Sequence, residues 1–503
     1  MFKKVLIANR GEIAIRVIRC LRELEIESVA VYSDADRDAL HVRWANQAVR
    51  LPGNTAVETY LQSEKILEAA KRCGAEAIHP GYGFLSEQAG FARRCREEGI
   101  AFIGPNPEAI EQMGDKTTAR DVMKKAGVPV VPGFQSMDAT LAEAKDASAQ
   151  MGYPVMLKAA AGGGGKGMRM VERAEQFESA FQQARSEAAG AFGDDRVYIE
   201  KYLMRPRHIE VQIVSDKHGN HIHLGERECS IQRRHQKVVE EAPSPAVSDD
   251  KRAELGAIAL MAARAVNYDS VGTVEFLMDQ TGACYFLEMN TRLQVEHPVT
   301  EWITGLDLVR MQLEIAAGDP LRLDQKDVVI RGHAIECRIY AEDPYHKFRP
   351  SPGLITYLGT PTGPGVRDDS GVYQGYEVPI YYDPMISKLS TWGADRNQAI
   401  GRMIRALGEY KIGGIAHNID FHRHLMHHPA FVSADLDTSF IDRYPELTAA
   451  AATNGLEHVA VIAASIKHFR ERMRQSLATQ TSQADTSAWK QSGRLGQGGR
   501  SWN

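Results

Sequence analysis

The stretch from Gly272 to Thr300 restricts the fold more than any other part of the chain. It reads GTVEFLMD, a QTG turn, then ACYFLEMNTRLQVEHPVT. Two β-rich segments joined by a short glycine-containing loop predict a hairpin. From Glu288 onward every second residue is polar: Glu288, Asn290, Arg292, Gln294 and Glu296, separated by Met289, Thr291, Leu293 and Val295. Side chains of an extended chain alternate between faces, so the polar set forms a comb on one side. A half-exposed strand shows the same alternation. It has no need of Glu275 on the preceding strand, nor of the order acid, amide, arginine, amide, acid.

Glu275, Glu288 and Asn290 offer oxygen donors that suit Mg²⁺ or Mn²⁺, hard cations that bridge substrate phosphates. Arg292 presents a planar fork for a small oxyanion, and Glu296 is a general-base candidate beside it. On a straight strand, at about 3.3 Å per residue, Glu288 and Glu296 would stand about 26 Å apart. One site cannot use both across that gap. The chain is therefore expected to curl after Asn290.

At 503 residues the chain is long enough for about three domains. A formal net charge of −5 argues against a nucleic-acid surface or a polybasic membrane patch. The six cysteines are scattered with no CxxC pair, so neither a structural zinc site nor a disulfide framework is expected. No apolar run is long enough to span a bilayer, and none near the N-terminus reads as a signal peptide. The cytosol is the default location.

Residues 3–33 read strand, helix, strand, the opening of a parallel α/β sheet. Their turn carries a single Gly11 rather than GxGxxG, so no dinucleotide fingerprint is present. HPGYG at 79–83 is read as lying where a strand ends and a helix starts, with Tyr82 either at the mouth of a cleft or incidental to a glycine turn. Asp115 predicts an N-cap for a helix running to Gly127, which sets Lys116 at the helix start, where a cation gains nothing from the dipole. Residues 153–172 carry Lys158 on a strand, then a glycine run and a second strand. That context fits neither a Rossmann turn nor a Walker A loop. It reads as a glycine-rich hairpin tip, either a phosphate-covering flap or a flexible surface loop. RHIEVQ and HIHLGERECSIQ predict another hairpin. QRRHQKVVEEAP at 232–243 mixes signs in a way that suits a polar cleft wall. From 329 a strand-rich segment with Arg338 on its first strand opens an α+β domain. Beyond about 447 the chain predicts an amphipathic helix through Leu456, Val459, Ile462, Ile466, Phe469 and Met473, then a polar end with Trp489 and Trp502.

Taken together, ANRGEIA, HPGYGFLSE, the glycine flap, RHIEVQ, IQRRHQKVVEEAP and EMNTRLQVEHPVTE resemble the ATP-grasp superfamily and, within it, the biotin carboxylase family, over residues 1 to about 446. The resemblance implies a mixed α/β and α+β chain. A Rossmann-like parallel-sheet domain would span 1–114 and an ATP-grasp domain 115–328, with a glycine-rich lid at 130–203. A C-terminal α+β domain would span 329–446, with a tail at 447–503. It implies that Lys116, Lys158, Gly164 and Gly165 hold nucleotide phosphates and that Glu200, Lys201 and Leu203 form the adenine hinge. His208, Gln232 and His235 would line the nucleotide cleft. Glu275 and Glu288, also counted as ATP-site residues, would bind the metal with Asn290. Lys237, Arg292, Gln294, Val295 and Glu296 would form the bicarbonate site, Glu296 being the base. Tyr82 and Arg338 would meet biotin.

The implied chemistry is ATP-dependent carboxylation of biotin by bicarbonate through carboxyphosphate, the first half-reaction of an acyl-CoA carboxylase. The alternatives are a two-subunit pyruvate carboxylase and a different ATP-grasp ligase. A ligase of the carbamoyl-phosphate kind would need the metal acids but not Lys237, Arg292, Glu296 and Arg338 together. A non-catalytic assembly subunit would be expected to lack an acid or lysine, and none is missing. There is no AMKM-type biotinyl-lysine motif, so the expected partners are a separate biotin carboxyl carrier protein and a carboxyltransferase subunit. The resemblance also implies a homodimer.

Overall fold

The computed structural model describes residues 1–134, 140–159, 168–192, 197–234, 236–449 and 456–481. The N-terminal region folds as predicted into a parallel sheet of β1 (Lys4–Ile7), β2 (Glu27–Tyr32), β3 (Gln47–Arg50), β4 (Ala77–His79) and β5 (Ala101–Phe102), in the order β3-β2-β1-β4-β5. The helix Gly11–Glu23 that follows β1 buries Ile13, Ala14, Val17, Ile18 and Leu21 against it, the stripe that its 3.6-residue period dictates. Gly11 opens this helix at φ +65°, a left-handed conformation that glycine adopts without strain.

The helix expected to start at HPGYG begins only at Ala89. Residues 80–88 instead form a loop, tied down by Asn9 Nδ2, which donates to the carbonyls of Pro80 and Tyr82 at 2.8 Å each. Gly81 is required in that loop, because a Cβ there would meet Asn9 Nδ2 at 2.8 Å.

Asp115 caps the helix Lys116–Lys125, its carboxylate accepting from Thr118 N at 2.7 Å. A four-stranded antiparallel sheet follows, built from β6 (Gly133–Phe134), β7 (Val155–Ala159), β8 (Met168–Val171) and β9 (Val197–Lys201), in the order β6-β9-β7-β8. The glycine run lies outside the described residues.

The second large sheet has eight strands. In chain order they are β10 (Arg207–Ser215), β11 (His221–Arg233), β12 (Gln236–Ala242), β13 (Ser270–Met278), β14 (Cys284–Asn290), β15 (His333–Tyr340) and the strands Val366–Ser370 and Met385–Gly393. They lie in the order β14-β13-β10-β11-β12-β15, then Met385–Gly393, then Val366–Ser370. β12 pairs directly with β15, so one sheet runs across the domain boundary expected near 328. Arg338 and the β13–β14 hairpin thereby belong to one hydrogen-bonded frame.

Residues Met1–Thr448 form one compact unit and Ala449–Asn503 another. In the second, the helix Leu456–Thr481 follows the sequence expectation, with Val459, Ile462, Ile466 and Phe469 exposed. Trp489 and Trp502 lie outside the described residues. Among the described residues no helix is long and apolar enough to cross a membrane.

Candidate active site

The β13–β14 hairpin is closed by Asp279, whose Oδ1 accepts from Thr281 N at 2.8 Å and Ala283 N at 3.0 Å. In this register Glu275 stands opposite Glu288. A bulge follows between this pair and Phe276–Phe286, which re-aims the polar residues near the strand end. Regular β structure stops at Asn290, and the helix His297–Thr304 begins with Pro298 in its first turn. Between them the chain bends at Thr291–Arg292 and turns at Val295–Glu296, and these turns are what curl it.

The curl folds the comb onto itself. Glu275 Oε1 accepts from Asn290 Nδ2 at 2.8 Å, Gln294 Nε2 at 2.7 Å and Lys237 Nζ at 2.9 Å. Lys237 Nζ also donates to Glu296 Oε1 at 2.6 Å and pairs with Glu210. Glu296 Oε2 meets Arg338 Nη2 at 3.0 Å, and Arg338 Nε donates to Glu240 at 2.6 Å. Arg292 Nη2 donates to Asn290 Oδ1 at 2.9 Å and Nη1 to Gln294 Oε1 at 2.7 Å. Glu275, Asn290, Gln294, Glu296, Lys237, Arg292 and Arg338 thus share one constellation.

The charges in it are strongly coupled. Burial alone would raise the Glu296 carboxyl, but Lys237, Arg338 and Arg227 hold it well below the usual range. Burial opposes charge on Lys237 too, yet Glu210, Glu275 and Glu296 hold its ammonium well above the ordinary lysine value. Burial pushes Glu240 up to about 7 in spite of Arg338.

At the metal end, burial and then the neighbouring Glu275 charge raise the Glu288 carboxyl. Two acids opposed across a hairpin, with Asn290 beside them, are a donor set that a divalent cation would relieve, so these residues fit Mg²⁺ or Mn²⁺. Histidine is brought in as well: one donor atom each from His208, Glu210 and Glu275 lies within 4.8 Å of the others.

The residues expected at the nucleotide lie on the helix Lys116–Lys125 and on both sheets. Lys116 is exposed, 3.8 Å from Glu288. His208 Nε2 lies 2.7 Å from Glu275, and its Nδ1 lies 2.7 Å from Gln232 Nε2. Lys158 and Glu200 pair with each other on the four-stranded sheet, where Glu200 also meets Arg120. Lys201 Nζ is turned onto the carbonyls of Gly152 and Tyr153, at 2.9 and 3.2 Å. Leu203 is half-buried. The Tyr82 ring is half-buried, and the Lys388 ammonium lies 5.9 Å from its centroid. Gly164, Gly165 and His235 lie outside the described residues.

Sequence reasoning missed several supports. Glu210 pairs with the fully buried Arg227, which donates to Gln212 at 2.6 Å, Thr300 at 2.8 Å and Thr273 at 3.1 Å. The signal was present in RHIEVQ, where His208, Glu210 and Gln212 alternate with apolar residues. Glu87 holds Arg292 Nε at 3.0 Å and Thr291 N at 3.2 Å. Nothing local announces that contact.

Comparison with known proteins gives the family. Three family models match: the biotin carboxylase N-terminal domain over residues 1–110, the carbamoyl-phosphate synthase L chain ATP-binding domain over 115–324, and the biotin carboxylase C-terminal domain over 336–443. The biotin carboxylase of Nostoc sp. is 55% identical over 440 residues, covering 88% of this chain and 98% of that one. A pyruvate carboxylase subunit from Methanothermobacter thermautotrophicus is also 55% identical, over 444 residues, covering 88% of this chain and 90% of its own. Among solved structures is the biotin carboxylase domain dimer of Hydrogenobacter thermophilus 2-oxoglutarate carboxylase, in complex with MgADP, ADP and bicarbonate. It superposes with a TM-score of 0.82 at 47% identity, covering 90% of this chain and 100% of its own. Fold and site define an ATP-dependent ligase of the ATP-grasp class. Within that class, the chain belongs to the biotin carboxylase family.

Proposed function

We propose that this enzyme carboxylates biotin borne on a separate carrier protein, as the first half-reaction of an acyl-CoA carboxylase. The observation that carries the reading is the single Lys237 ammonium shared by Glu275, at the metal end, and Glu296, at the anion end. It supports a phosphoryl site and a one-carbon substrate site lying within one reach.

In this reading Arg292, Lys237, Gln294 and Val295 hold bicarbonate while Glu296 takes its proton. The freed oxygen attacks the γ-phosphorus of ATP, giving carboxyphosphate and ADP. Lys116, Lys158 and the flap glycines Gly164 and Gly165 take up charge on the phosphates, so positioning and electrostatics carry the step. A divalent cation held by Glu275, Glu288 and Asn290 would neutralise phosphoryl charge. The mixed anhydride hydrolyses in water, so the reading requires a site from which water is excluded during the step. Carboxyphosphate then splits into CO₂ and phosphate. The phosphate accepts the ureido proton of biotin, Arg338 stabilises the resulting oxyanion, and the ureido nitrogen attacks CO₂. The reading also gives Tyr82, whose ring centroid is 5.9 Å from Lys388 Nζ, to the biotin end.

The decisive experiment measures bicarbonate-dependent ATP hydrolysis with and without free biotin. Stimulation by biotin is expected, and its absence would refute the reading. Similarity to a pyruvate carboxylase component supports a second acceptor, pyruvate, in place of acetyl-CoA, propionyl-CoA or another acyl-CoA. Identifying the carboxyltransferase that co-purifies decides between them. The reading includes a homodimer, which the dimeric relative supports. It also assigns the tail helix Leu456–Thr481 to docking a partner protein of the carboxylase, on the strength of its exposed apolar residues.

A further inference from the structure

Among the described residues Lys388 is the only lysine buried completely, its side chain 0% exposed. It lies on the strand Met385–Gly393, with Arg338 of β15 and Asp369 of Val366–Ser370 as its cross-strand partners. Cross-strand partners project to one side of a sheet, so Lys388 shares a face with Arg338. Its Nζ donates to the carbonyl of Val295 at 2.9 Å and lies 3.3 Å from Glu12 Oε2. That carbonyl belongs to the peptide joining Val295 to Glu296.

Glu12 is itself fixed. It sits in the first turn of the helix that Gly11 opens, and the backbone at Gly371 packs so closely that a Cβ there would stand 2.8 Å from Glu12 N. Both Glu12 oxygens are buried, Oε2 with only the Lys388 ammonium as partner among the described residues, and burial pushes this acid up to about 7 despite Lys388. The other groups that face the ammonium are Glu336, Asp369 and His297. Burial keeps Glu336 well above the usual carboxylate range. Arg367 and Lys388 overcome burial to hold Asp369 at about 2. Burial, with Lys388 beside it, keeps His297 neutral.

A buried ammonium is a poor way to gain stability, because a well-packed apolar side chain of similar length commonly serves as well or better. What the ammonium supplies here, and a methyl group cannot, is a donor aimed at one carbonyl. The geometry points to Lys388 as a positioning residue that fixes the Val295–Glu296 peptide and so sets the bicarbonate site. This assignment rests on the reading of Val295 and Glu296 as bicarbonate residues. Lys388 itself touches no reacting atom. It joins the first helix, the strand opposite Arg338 and the curled segment at one point.

The test is a comparison of KM values in bicarbonate-dependent ATP cleavage by the full chain. Lys388→Met is expected to raise KM for bicarbonate about tenfold or more, as small displacements of a positioned group do, while KM for MgATP changes by less than about twofold. Lys388→Arg, which keeps a donor but shifts it, is expected to fall between wild type and Lys388→Met. An unchanged KM for bicarbonate, or equal changes in both KM values, would overturn the assignment. Failure of both variants to fold would overturn it too, since Lys388 would then be a folding group. A wild-type protein without bicarbonate-dependent ATP cleavage would be a separate failure, that of the proposed function.

Discussion

Arg338 and Glu296 pair with each other in the interior, Nη2 to Oε2 at 3.0 Å. The arginine assigned to the biotin oxyanion and the acid assigned to bicarbonate thus neutralise one another. Under the proposed function the substrates would meet two groups that are already oriented. Such preorganisation costs little rearrangement at the moment of reaction.

Replacing Arg338 should therefore separate the two chemical steps. Arg338→Ala is expected to slow biotin carboxylation by about 10²- to 10³-fold, the usual loss for one oxyanion donor. Bicarbonate-dependent ATP cleavage without biotin should fall far less, because Lys237 still holds Glu296. Parallel assays with and without biotin measure both rates. Equal losses would remove Arg338 from the biotin step.

Glu296→Gln should abolish bicarbonate-dependent ADP formation. Nucleotide affinity, measured by titration with a non-hydrolysable analogue, should stay within about threefold of wild type, under 1 kcal/mol. A large loss of nucleotide binding would contradict the assigned role. The same change removes one of the three acids that hold Lys237 and one of the two that hold Arg338. Breaking a buried pair costs about 3–5 kcal/mol, and denaturant unfolding of the variant should show a loss approaching that size.

Local grammar made part of this molecule legible. The β13–β14 hairpin, the Asp115 cap and the curl after Asn290 all follow from turn residues, side-chain alternation and the reach of an extended chain. The polar alternation ends at Glu296, and Pro298 in the first turn of the helix His297–Thr304 was a start signal that sequence reasoning did not use. Glu87, Arg227 and Lys388 stayed invisible for another reason: their contacts close over long stretches of chain. Arg292 meets Glu87 across 205 residues, and Lys388 reaches Val295 across 93. Only strand order brings such groups together. The same holds for β12 beside β15, which joins segments that composition separates.

The tail supplies an independent test. Val459, Ile462, Ile466 and Phe469 recur at helical spacing and are exposed, which is costly for a surface without a partner. Truncation after residue 447 should leave carboxylation of free biotin intact and weaken co-elution with the carboxyltransferase. Unchanged assembly on size-exclusion chromatography would dispose of the docking role.

The support behind Arg338 gives a pH signature. His422 is fully buried, and its Nε2 lies 2.9 Å from the Arg338 carbonyl, which also accepts from Asn418 Nδ2 at 3.0 Å. Burial lowers this imidazole to about 4 from an ordinary value of 6.5. The unfolded chain therefore takes up a proton that the folded chain refuses between those two values. The stability contributed by neutral His422 is complete above about pH 6.5 and is lost as pH falls toward about 4, at roughly 1.4 kcal/mol per unit. His422→Gln has no such proton to refuse. Its destabilisation relative to wild type should be largest and constant above pH 7 and should shrink steadily as pH falls from 6.5 toward 4, as read from urea unfolding. A difference independent of pH would mean that His422 takes up its proton in the folded protein as readily as in the unfolded chain, and the role of burial in keeping it neutral beside the Arg338 carbonyl would be wrong.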